Sequence, residues 1–151
     1  ILQKNTDVKI IHIRRENLLR TYVSKLVALK TGAWNSREES DKKMPQDKRV
    51  TVDIEHCLSE LRKTKKLQEK YNQNQFPEHS YLELTFENLV QNTSEQMKEV
   101  FTFLGLEKTE IDKFKSSLKR QNPEKIENLV TNYPEFKESL SKTEFASMLI
   151  E

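Results

Sequence analysis

Residues 8–34 read VKIIHIRRENLLRTYVSKLVALKTGAW, and the change of rhythm inside this stretch sets the fold class. Val8 to Ile13 is β-branched and mostly apolar, the pattern of a strand buried in a sheet. From Glu16 to Lys30 the apolar residues recur at helical spacing. Leu18, Leu19, Tyr22, Val23, Leu26, Val27 and Leu29 form one face. Thr31-Gly32 closes the helix, with Gly32 as its C-cap. A buried strand feeding an amphipathic helix predicts an α/β layer protein.

Downstream, residues 35–49 (NSREESDKKMPQDKR) are polar and charged and read as a long surface loop. Asp53 is placed to N-cap a helix from Ile54 to about Tyr71, with Ile54, Leu58, Leu61 and Cys57 inward. The second half of that helix is basic: Arg62, Lys63, Lys65, Lys66 and Lys70. Ser80 to Thr85 (SYLELT) alternates like a second strand. Thr93 with Gln96 suggests a capping box for a helix carrying Met97, Val100, Phe101, Phe103 and Leu104, ended by Gly105. Thr109 to Lys119 spaces Ile111, Phe114 and Leu118 as a further amphipathic helix. Two short helices are expected around Asn122-Pro123 and Tyr133-Pro134, giving more helix than sheet.

Composition bounds the partners. The 151 residues are 34% hydrophobic and 33% charged, enough for a modest core. Lys plus Arg is 26 against 24 for Asp plus Glu, a net charge of +2. Such a balance gives no argument for a nucleic-acid or membrane partner, so any anion site must be local. No apolar run is long enough to span a bilayer. The lone Cys57 allows no internal disulfide and fits a reducing, cytoplasmic compartment. The three His and one Cys show no metal-ligand spacing, so no metal is expected.

The chemistry gathers at Ile13-Arg14-Arg15-Glu16-Asn17. Ligands of open α/β sheets bind at the carboxyl ends of strands. A helix start adds unpaired N–H groups, and guanidinium groups can grip phosphate with paired bonds. An ion pair with Glu16 or another acid would explain the same arginines. Ser24 follows Arg15 by nine residues; its hydroxyl suits the same anion, or its small size suits close helix packing.

These residues resemble a family. KIIHIRRENLLRTYVSKLVALKTGAW is similar to the strand and helix with which sulfotransferases hold the 3′-phosphate of 3′-phosphoadenosine 5′-phosphosulfate (PAPS), the bacterial branch in particular. The family usually spaces Arg and Ser by eight residues. Here the gap is nine from Arg15 and ten from Arg14, and Arg15 is preferred. SYLELTFENLVQNTSEQMKEVFTFLGL resembles the family strand ending in Tyr-Glu-Asp-Leu. The aromatic near the adenine is then Phe86, which core packing would also explain. Lys119-Arg120-Gln121-Asn122-Pro123 and IENLVTNYPEFKESL look like the C-terminal part of bacterial members. Arg120 and Lys119 become further anion candidates, against a solvated charged face.

The resemblance implies a helix-rich α/β chain with part of the parallel sheet of the P-loop-like sulfotransferase fold. It implies one incomplete domain over residues 1–151, PAPS as co-substrate, and a carbohydrate, lipid or small-metabolite acceptor. The family's Ser/Thr/Gly-rich loop for the 5′-phosphosulfate has no counterpart in this composition, and the chain opens at Ile1, so a fragment is expected. Relatives take their catalytic base, a His or Glu, from the upstream half, and none is assigned here. His12 reads as a satisfied strand histidine, and His56 and His79 lack a partner pattern. Trp34 either lines an acceptor pocket or anchors the 35–49 loop, which is expected to cover the acceptor side. Two other classes fit less of the chain: a non-catalytic module for a 3′-phosphoadenine nucleotide, and a helical interaction protein docking through Arg62 to Lys70.

Overall fold

The computed structural model describes residue 5 and residues 7–34, 47–106 and 122–150. Their order is β1 (Ile10–Arg14), α1 (Leu18–Thr31), α2 (Ile54–Lys70), a 3-10 turn (Gln73–Gln75), β2 (Tyr81–Thr85), α3 (Phe86–Gln91), α4 (Thr93–Leu104), α5 (Ile126–Leu129), α6 (Tyr133–Ser141) and a second 3-10 turn (Ala146–Leu149). The protein is helix-rich α/β with a small parallel sheet, as expected. Contacts divide it into two compact units, each built from two segments. The first holds Ile1–Glu16 and Lys66–Lys115; the second holds Asn17–Lys65 and Ser116–Glu151.

In the first unit β1 and β2 pair in parallel, Ile10 opposite Tyr81 through Arg14 opposite Thr85. Alternation along the strands puts Ile11, Ile13, Leu82 and Leu84 on one face. His12, Arg14, Tyr81 and Glu83 share the other. β1 is not the fully buried strand its apolar run predicts. Ile13 is 51% exposed, and Leu84 is the sheet's one fully buried side chain. Among the described residues β1 has one strand neighbour, and polar His12 and Arg14 interrupt its apolar character. Lys9 Nζ donates to the Phe103 carbonyl at 2.7 Å, tying the strand's lead-in to α4.

Local chemistry explains the helix ends here. Thr85 Oγ1 accepts the Asn88 N–H at 3.2 Å, so the last residue of β2 also caps α3. The capping box expected at Thr93 and Gln96 does not form. Asn92 is the N-cap of α4, and Thr93 Oγ1 instead donates to the Leu89 carbonyl at 2.7 Å. The chain arrives at Thr93 from a preceding helix, so its hydroxyl finds a carbonyl four residues back. Gly105 ends α4 at φ 76°, in the left-handed region.

The second unit carries the main core. Leu19, Val23 and Val27 of α1 pack with Cys57, Leu58 and Leu61 of α2 and with Ile126, Leu129, Phe136, Leu140 and Phe145 of the C-terminal segment. Asn17 Oδ1 accepts the Arg20 N–H at 2.9 Å to start α1, and Gly32 stops it at φ 70°. Asp53 Oδ1 accepts the His56 N–H at 2.7 Å, the expected cap of α2. Leu29, placed inward by spacing, is 59% exposed; it lies in the last turn of α1. Val50 forms a parallel bridge with Val130, and Asn132 extends it by bonding both the N–H and the C=O of Val52. The helix expected over Thr109 to Lys119 lies outside the described residues, as does most of the 35–49 loop.

Candidate functional site

The first unit places Arg15 and Phe86 at equivalent points. Each directly follows the last residue of its strand, and those last residues, Arg14 and Thr85, are register partners. Both side chains therefore stand at the carboxyl edge of a parallel sheet, where α/β proteins bind ligands. The Arg15 guanidinium carbon lies 3.8 Å from the Phe86 ring centroid, a cation–π stack. Its Nη1 is 3.7 Å from Glu87 Oε1, and both side chains are about 70% buried, at 29% and 28% exposure. The peptide group between Arg15 and Glu16 is held at both ends. Gln68 Nε2 donates to the Arg15 carbonyl at 3.1 Å, and the Glu16 N–H donates to Glu87 Oε2 at 3.1 Å.

Arg14 faces the polar side of the sheet. Its Nε donates to Glu83 Oε1 at 2.8 Å, and its Nη2 lies 3.9 Å from Glu16. The ion pairs that the sequence allowed for these arginines are thus present, one acid for each guanidinium and a second for Arg14. His12 and Tyr81 are hydrogen-bonded at 2.6 Å beside Glu83, whose carboxylate is 3.5 Å from His12. Burial, then the charge of Glu83, pushes the Tyr81 phenol above its ordinary pKa. His12 is a partnered strand histidine, although only partly buried. His79 Nδ1 is hydrogen-bonded to the Val8 carbonyl at 2.8 Å.

Ser24 belongs to the second unit, with partners of its own. Its Oγ accepts the Asn122 side-chain amide at 3.0 Å. The backbone carbonyl of Asn122 accepts a bond from the Arg20 guanidinium. Arg20 and Ser24 stand four residues apart on α1, on one face. Arg20 is 7% exposed and Asn122 is 4% exposed, and the buried Asn122 Oδ1 has no hydrogen-bond partner among the described residues. Neither residue stood out in the sequence. An Arg in mid-helix reads as solvated, and the bond that buries it spans 102 residues. Trp34, expected to anchor a loop or line a pocket, is 59% exposed. Arg120 and Lys119 lie outside the described residues.

His56 does have a partner: its Nδ1 is hydrogen-bonded to the Tyr22 hydroxyl at 2.8 Å. Burial pushes the Tyr22 phenol up to about 12, helped by Cys57 once its thiol ionises and by the negative charges of Asp53 and Glu60. Burial likewise pushes the Cys57 thiol up to about 12, helped by Asp53, which keeps it protonated and inert. Among the described residues no group of three or more His, Cys, Asp or Glu could hold a metal ion. No helix among them is long and apolar enough to cross a membrane.

The guanidinium and the aromatic ring stand at the carboxyl edge of a parallel sheet, the place where open α/β sheets take their ligands. The sequence model of the sulfotransferase family matches residues 2–110, and the chain belongs to that family. No curated protein and no solved structure matches it.

Proposed function

We propose that this chain is the nucleotide-gripping part of a sulfotransferase domain that moves a sulfuryl group from PAPS to a hydroxyl or amine acceptor. In that reaction the bond between the sulfur and the bridging oxygen breaks, and a bond from the acceptor to sulfur forms. The acceptor's proton passes to a base, and adenosine 3′,5′-bisphosphate leaves. The acceptor is a carbohydrate, a lipid or a small metabolite. Arg15 takes the 3′-phosphate, with Arg14 as a further contact, and Phe86 lies by the adenine.

One observation carries this reading: Arg15 stacks on Phe86 beside the aligned ends of two parallel strands, and is left partly open to solvent. The fork of N–H donors suits a phosphate, and the adjoining ring suits a planar base. Titration of the 151-residue chain with adenosine 3′,5′-bisphosphate tests it. Arg15→Ala is expected to lose on the order of 2–3 kcal/mol of that binding, the scale of a charge-assisted hydrogen bond. No binding by the wild-type chain would overturn the proposal. Binding without sulfuryl transfer would favour a nucleotide-binding module over a transferase.

A further inference from the structure

The sequence assigned no role to Glu87, yet both of its carboxylate oxygens are engaged at one junction. Oε1 stands 3.7 Å from the Arg15 guanidinium, and Oε2 accepts the Glu16 N–H at 3.1 Å. These two groups sit on either side of one backbone peptide, whose carbonyl is held in turn by Gln68. The junction lies just past the end of β1, where the sheet no longer fixes the backbone. An N–H there needs a partner from a side chain or from water. Glu87 is only 28% exposed, and it supplies that partner from the first turn of α3.

We infer that Glu87 is the positioning residue of the Arg15 site, an inference that rests on the nucleotide reading above. Phe86 and Glu87 divide the work. The ring face of Phe86 fixes the plane of the guanidinium, at 3.8 Å from its centroid. A flat cation on a ring can still turn within that plane. The Glu87 carboxylate, 3.7 Å from Nη1, draws that edge of the guanidinium toward itself and so favours one orientation. The second oxygen of Glu87 fixes the peptide that follows Arg15, so backbone and side-chain tip are referred to the same group. A phosphate-gripping arginine works through a directional fork, so orientation sets its affinity as much as charge does.

The acid also places a negative charge near the expected phosphate, which opposes binding. Positioning and repulsion therefore predict opposite signs for the neutral, nearly isosteric variant Glu87→Gln, and the experiment separates them. Bisphosphate affinity is measured by calorimetry for wild type, Glu87→Gln, Arg15→Ala and the double variant. Positioning predicts that Glu87→Gln weakens binding about tenfold, and that the same substitution has little further effect once Arg15 is gone. Tighter binding by Glu87→Gln would overturn the inference, as would an equal loss in both backgrounds.

A second readout needs no ligand. Hydrogen exchange at the Glu16 amide should speed up in Glu87→Ala, and unchanged exchange would sink the proposed grip. Failure of the wild type to bind the bisphosphate is a different result. It overturns the nucleotide reading itself, and with it the anion site that Glu87 would position.

Discussion

Asn122 donates its side-chain amide to the Oγ of Ser24 at 3.0 Å, across 98 residues of sequence. A hydroxyl oxygen that receives one hydrogen keeps its own to give. The bond therefore fixes Ser24 as a donor, the role a phosphate contact requires. The backbone carbonyl of Asn122 meanwhile takes the Arg20 guanidinium, so a single residue governs two neighbouring positions of α1.

That arrangement ranks two substitutions. Ser24→Ala leaves the buried Asn122 amide with neither end of its side chain paired among the described residues, where Oδ1 already lacks a partner. It should cost on the order of 1–3 kcal/mol of stability. Asn122→Ala removes the orphaned oxygen together with the donor, and should cost about 1 kcal/mol. Urea unfolding of the two variants gives the comparison, and the opposite ranking would contradict the hydrogen-bond assignment.

Alkaline stability follows from Tyr22 and Cys57. Both folded pKa values are raised, to about 12, above the ordinary 10.0 and 9.0. The fold thus favours both neutral forms. Their contribution is complete below the ordinary values and is lost as pH climbs from about 9 toward 12. Each group that ionises in the unfolded chain alone adds a slope of about 1.4 kcal/mol per pH unit. Urea midpoints followed across this range should fall for wild type, and fall less steeply for Cys57→Ala. Equal slopes would show that the thiol ionises as readily in the folded chain as in the unfolded one.

Gly32 and Gly105 end α1 and α4 at φ 70° and 76°, and a Cβ on either would meet no atom of the described residues within 4 Å. Substitution therefore costs backbone strain alone. Gly32→Ala and Gly105→Ala should each destabilise by about 1 kcal/mol, and the asparagine variants by less, since Asn tolerates this region better. Thermal unfolding decides the matter, and an asparagine variant less stable than its alanine counterpart would argue against strain as the cause.

The features legible in the sequence were those whose cause is local. Asp53 lies three residues from the N–H it caps, and Gly32 and Gly105 each follow the last turn they close. The arginines past β1 and the aromatic past β2 were visible as types at strand ends. Their stacking was not, because it depends on the register that sets Arg14 opposite Thr85. Glu87 was hidden for the same reason: its partners Arg15 and Glu16 lie about 70 residues upstream. The supposed capping box at Thr93 shows the limit from the other side. Thr-x-x-Gln is a sound local signal, but the Leu89 carbonyl of the preceding helix claims the hydroxyl first. Val50 and Val130 carry no sign of their bridge, since a single parallel pair leaves no periodicity to read.

Cys57 is the chain's single thiol, and it is wholly enclosed between α1, α2 and the C-terminal segment. A thiol reagent can reach it only when that packing comes apart. Labelling kinetics consequently count the openings of the core around Cys57, a built-in gauge that requires no engineered probe.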